Sequence, residues 1–127
     1  MYQVLPGNAA REGSDLACFG VRGTDSRVYY FDEIDQMNEL GWTGSKWVYQ
    51  VLLGNAARKD SALACFSVNG TDSWVYYIDE SNRVNELGWT GSNWVYQVLT
   101  GNIVAAGSDI VSFGVNRTDS RVYYFEE

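Results

Sequence analysis

Short runs of alternating apolar and polar residues cover most of this chain. LACFGV, RVYYF, MNELGW and WVYQVL are rich in β-branched and aromatic residues and carry the period of two that a pleated strand shows. Between them stand RGTDS, DEID, TGSK and PGNAAREGSD, all made of residues that favour turns. Helical periodicity is weak throughout. Strands and turns alternating every ~8–12 residues predict an all-β protein.

The same four strands recur. MYQVLPGNAAREGSDLACFGVRGTDSRVYYFDE returns as VYQVLLGNAARKDSALACFSVNGTDSWVYYIDE, and again as VYQVLTGNIVAAGSDIVSFGVNRTDSRVYYFEE. The period is 47 residues, and the first two copies agree at about 32 of 46 aligned positions. A repeat of this length with four strands predicts β-propeller blades of four antiparallel strands. The frame gives about 2.7 repeats in one propeller-forming domain, at about 1–46, 47–93 and a partial 94–127. Propellers close with roughly four to eight blades, so the expectation is a ring closed by oligomerisation. A homodimer is favoured, with a trimer as the alternative. The opening MYQVL is expected to act as a fourth strand.

Composition narrows the function. The chain has 127 residues, a net charge of −7 and no basic run, which argues against nucleic-acid binding. No apolar stretch approaches 18 residues, so no membrane insertion is expected. The N-terminus has no charged start followed by an apolar run, which reads as no signal peptide and a cytoplasmic or leaderless-release location. Histidine is absent, which removes the commonest general base and zinc ligand. No cofactor, metal site or catalytic residue is expected. Aromatic residues are abundant, with five Trp, nine Tyr and five Phe.

Alternation also sorts side chains onto faces. A hairpin around Asp32-Glu33-Ile34 would place Phe31 opposite Asp35, Tyr29 opposite Met37 and Arg27 opposite Glu39 on one face. Trp42, three residues beyond Glu39, and Trp47, across TGSK, would share the other face. Stacked blades would then bring Arg27 and Glu39 of one blade against Trp89 and Trp94 of the next. A neutral sugar needs this chemistry. Arg donates several N–H bonds to oxygens, Glu accepts from hydroxyls, and Trp packs on C–H faces or a methyl group.

RVYYFDEIDQMNELGWTGSKW resembles the blade motif of the fucose-binding six-bladed β-propeller lectins of fungi and soil bacteria, and the resemblance extends through the repeats over essentially the whole chain. It implies sugar pockets between adjacent blades, built from Arg and Glu of one blade and Trp residues of its neighbour. Carried over by position, these are Arg27 and Glu39 with Trp89 and Trp94. The implied partners are fucose-containing glycans.

Departures mark partial sites. Trp74 stands where the second repeat should have Arg, leaving Glu86 without its fork. Arg121 has no following Glu or Trp strand, and Trp42 and Trp47 require a preceding blade, which a second chain would supply through Arg121. Glu126 or Glu127 is a stand-in for the missing carboxylate. Cys18 and Cys65, equivalent to Ser112, read as small buried free thiols, too far apart for a disulfide. Asn69-Gly70-Thr71 and Asn116-Arg117-Thr118 match the N-glycosylation pattern and read as chance turn sequences. Asp25, Asp72 and Asp119 read as turn residues rather than calcium ligands. The Trp residues could also be inter-blade core, and Arg27 and Glu39 an exposed ion pair. Alternatives to a lectin are a structural or designed scaffold without productive binding, or a glycoside hydrolase using paired carboxylates.

Overall fold

A computed structural model describes residues 3–21, 25–68, 72–116 and 119–127. Most of both glycosylation-like patterns therefore lies outside the described residues. Among these residues there is no helix, and hence none long and apolar enough to cross a membrane. Strands β1 (Leu16–Val21), β2 (Asp25–Phe31), β3 (Met37–Trp42) and β4 (Trp47–Val51) form one antiparallel meander in chain order. Strands β5 (Leu63–Val68), β6 (Asp72–Ile78), β7 (Val84–Trp89) and β8 (Trp94–Val98) repeat it. Strands β9 (Ile110–Asn116) and β10 (Asp119–Tyr124) form a two-stranded hairpin that corresponds to β1–β2. Sheet and repeat frame are offset, since β4 completes the first sheet while it opens the second repeat. The opening segment does not join a sheet: Gln3, Val4 and Leu5 carry no strand pairing.

The expected register of the β2–β3 hairpin is corrected by two residues. Phe31 pairs with Met37, Tyr29 with Glu39 and Arg27 with Gly41. The loop is longer than three residues because Asp32 organises it. Its backbone N–H donates to Gln36 O at 3.0 Å, and its carboxylate accepts from the backbone N–H groups of Ile34 and Gln36. The side-chain amides of Asn8 and Asn38 donate to the same carboxylate. Asp35 turns the corner in the left-handed region, at φ 65°. Burial raises the Asp32 pKa, but these donors together hold it below the usual carboxylate range. A slip of two residues keeps side chains on the same faces, so the sorting of Arg27 and Glu39 against Trp42 and Trp47 survives.

The core lies between sheets. Tyr29, Phe31, Met37 and Leu52 of the first sheet pack against Leu63, Val75, Tyr77 and Leu87 of the second, with Trp94 and Tyr96 against the same cluster. The second sheet repeats this with Tyr76, Ile78 and Val84 against Val104 and Ile110. Each buried aromatic or aliphatic side chain contributes about 1.5–3 kcal/mol on removal from water.

A buried arginine fastens each junction. Arg11 donates to Asp35 Oδ1 at 2.7 Å and to the next repeat's Arg58 and Lys59 carbonyls at 2.9 and 3.1 Å, and its guanidinium lies 4.6 Å from the centre of the Phe31 ring. Arg58 does the same one repeat later, donating to Asn82 Oδ1 and to the carbonyls of Val104 and Ala105.

The outermost faces lack this cover. Leu16 is 63 % exposed where its equivalent Leu63 is 7 % exposed, and Tyr123 is 56 % exposed where Tyr29 is fully buried. Cys18 lies on the uncovered face and is exposed, which corrects the expectation of a buried thiol; Cys65 is half-buried, and both thiols are free. Four-stranded meanders stacked face to face by repeated cores are blades of a β-propeller.

Candidate functional site

At the first junction the faces that bear the predicted residues pack against each other. β2 and β3 carry Arg27 and Glu39 on the face that packs against the second sheet. β7 and β8 present Trp89 and Trp94, which pair across the strands with ring centres 5.7 Å apart and planes at 55°. Tyr29 joins the two halves. Its hydroxyl donates to Glu39 Oε2 at 2.7 Å, and its ring meets Trp94 edge-on at 6.5 Å. Gln50, on β4, donates from Nε2 to the other oxygen, Glu39 Oε1, at 2.7 Å. Burial, above all, and the adjoining Glu39 carboxylate push the Tyr29 hydroxyl well above its ordinary pKa, so it remains a donor.

Arg27 is half-buried and lies across Gly41, its cross-strand partner. Its Nη1 donates to the carbonyls of Ser26 at 3.1 Å and Trp42 at 3.3 Å. Trp94 Nε1 is buried with no acceptor among the described residues. The first sheet thus offers a guanidinium and a carboxylate held at both oxygens, the facing sheet offers two indoles, and Tyr29 touches both sides.

The second junction keeps half of this arrangement. Tyr76 donates to Glu86 Oε2 at 2.8 Å, and Gln97 donates to Glu86 Oε1 at 2.6 Å. Trp74 replaces the arginine and stacks on Phe66, with ring centres 6.5 Å apart. The β9–β10 hairpin offers no Trp pair. A cleft of about 150 Å³ remains there, lined by Val84, Leu99, Val122 and Tyr124. At the first junction, Leu87 and Tyr96 pack at the corresponding place, against Met37 and Leu52.

The remaining candidates stand apart. Trp42 and Trp47 form an equivalent pair at 5.6 Å and 55° on the uncovered face of the first sheet. Arg121 is exposed and pairs with Asp119 beside it. Glu126 bridges to Val104 as Asp32 does to Ala10 and Asp79 to Ala57, so it occupies a loop position and is no substitute for Glu39. Sequence reasoning missed Tyr29, Gln50 and Gly41. Gly41 carried a signal, since LGW recurs at Gly88. Gln50 carried one too, since VYQV recurs at Gln97.

No family model matches the chain, and no curated protein matches it in sequence. Solved structures do share its fold. The chain superposes with a TM-score of 0.75 on the fucose-recognising six-bladed β-propeller lectin of Aleuria aurantia, at 24 % identity, over 93 % of this chain and 43 % of that one. A variant of the protein AofleA from Arthrobotrys oligospora gives 0.75 at 20 % identity, over 97 % of this chain and 40 % of that one. A fucose lectin from Kordia zhangzhouensis, solved with methyl-fucoside, gives 0.60 at 18 % identity, over 87 % of this chain and 82 % of that one. The chain therefore spans less than half of the two fungal proteins and most of the bacterial one.

Proposed function

We propose that this chain is a carbohydrate-binding lectin that takes fucose or fucosylated glycans at the first blade junction, through Arg27, Glu39, Trp89 and Trp94. One observation carries the reading. A carboxylate with both oxygens held and an arginine laid over glycine stand on the face that packs against the second sheet, and Tyr29, which holds that carboxylate, meets Trp94 of the Trp pair opposite. That set offers hydroxyl acceptors, N–H donors and an apolar wall to one sugar ring. Similarity to solved fucose-binding propellers supports the sugar class.

Binding is favoured over hydrolysis. Glu39 and Glu86 lie on different sheets, each tied to its own Tyr and Gln, whereas double-acid hydrolysis needs two carboxyl groups flanking one bond.

The uncovered faces support assembly with a second copy. The exposed face of β9–β10 has the same residue pattern as the face that β5–β8 covers on the first sheet. The uncovered face of β1–β4 matches the one that β5–β8 presents. Stacking copies would set Trp42 and Trp47 of one chain against Arg121 of another and multiply weak sites into avid binding. A homodimer fits first and a trimer second.

The test is calorimetric titration of the 127-residue chain with methyl fucoside, alongside Glu39→Ala. Saturable binding that weakens at least tenfold in the variant supports the reading. Equal affinity in the two proteins removes Glu39 from the site. Light scattering with and without the sugar reports assembly, and a monomer at micromolar concentration refutes closure by copies.

A further inference from the structure

We propose that Tyr29 and Gln50 are positioning residues that fix Glu39 as a double acceptor for two adjacent sugar hydroxyls, a role that rests on the fucose-binding reading above. Each carboxylate oxygen has two lone pairs. Tyr29 occupies one on Oε2 and Gln50 one on Oε1, both at 2.7 Å, which leaves one on each oxygen. The carboxylate plane is then set before a ligand arrives. An acceptor fixed in advance spares the ordering cost that a free side chain would incur on binding.

The hold adjoins the junction. The ring of Tyr29, whose hydroxyl is on Glu39, meets Trp94 of the second sheet edge-on, with ring centres 6.5 Å apart, so stacking of the blades and posture of the acceptor share one residue. The second junction repeats the hold on the carboxylate, with Tyr76 on Glu86 Oε2 and Gln97 on Glu86 Oε1, and Ser120 Oγ lies 3.4 Å from the Tyr76 hydroxyl. The arrangement persists there although Trp74 has taken the arginine's place. It therefore belongs to the carboxylate and does not depend on the guanidinium.

A double-mutant cycle tests the role. Methyl fucoside is titrated into the wild-type chain, Tyr29→Phe, Glu39→Gln and the double variant, with thermal unfolding measured on each. Tyr29→Phe keeps the buried ring and removes only the donor. It is expected to weaken binding about tenfold, the usual effect of losing a hydrogen bond to a charged group. In the Glu39→Gln background the same change is expected to alter affinity by less than about twofold, because its effect passes through the carboxylate. A merely structural role would lower unfolding temperature and cost the same affinity in both backgrounds, which would overturn the proposal. Unchanged affinity in Tyr29→Phe would overturn it as well. Should Tyr29→Phe not fold, Gln50→Met on the exposed outer strand runs the same cycle with the same expected outcomes. A wild-type chain that binds no methyl fucoside overturns the fucose reading itself, and this role with it.

Discussion

Arg27 lies flat across Gly41: a Cβ added at position 41 would come within 3.2 Å of the guanidinium Nη1. Gly41→Ala would displace the arginine by a few tenths of an ångström while improving the intrinsic strand preference of the position. The expected result is sugar affinity reduced severalfold with unfolding free energy unchanged or slightly raised, read by calorimetry and urea titration. At the second junction, a Cβ on Gly88 would approach the Trp74 ring to 2.3 Å. Gly88→Ala must move a packed indole and is expected to destabilise by about 1–3 kcal/mol.

Leu16 and Leu63 hold the same place in successive repeats, one uncovered and one buried in the first junction. Leu63→Ala should cost about 2–5 kcal/mol of stability in urea unfolding. Leu16→Ala should cost little in an isolated chain. If copies stack as proposed, it should instead shift light scattering toward lower mass.

Asp35 is held below the usual carboxylate range, chiefly by the hydrogen bond from Arg11, with Lys59 adding to it. A carboxyl whose folded pKa is depressed adds stability above its unfolded value, about 4, and loses it as pH falls through the lower folded value. Arg11→Met should therefore reduce stability at pH 7 by about 2 kcal/mol, the scale of a charge-assisted hydrogen bond. The difference from wild type should shrink as pH falls below about 4. Urea midpoints at pH 7 and pH 3 check this, and a gap that stays constant would assign the effect to packing on Phe31 instead.

The two thiols should react differently. Burial, with Cys18 nearby, pushes the Cys65 thiol up to about 12, whereas Cys18 is exposed. At pH 8, maleimide should label Cys18 in the native chain and leave Cys65 until denaturant is added. Protection of Cys18 at high protein concentration would report that a second copy covers its face.

Much of the fold was legible along the chain because strand alternation and turn chemistry are local. MNELGW became β3 and LACFGV became β1 as read. Arg27 and Glu39 were assigned to one face and Trp42 and Trp47 to the other, because faces depend only on parity. The register was not legible. It depends on how many residues Asp32 gathers into its loop, and hydrogen bonds from Asn8 and Asn38, 24 and 6 residues away, help decide that. The hold on Glu39 by Tyr29 and Gln50 follows from that register and escaped notice with it.

The sequence by itself determined the repeat, the strands and the two chemical halves of each blade, since these are carried by residue type and spacing within one period. The tertiary structure decided which copy of each residue matters. Tyr29 and Tyr123 are the same residue at the same repeat position, yet one is buried against a neighbouring sheet beside a carboxylate and the other is open. A near-identical repeat cannot encode that difference. It arises from which sheet stacks on which, and only the stacked blades bring Trp94 against Tyr29, whose hydroxyl holds Glu39.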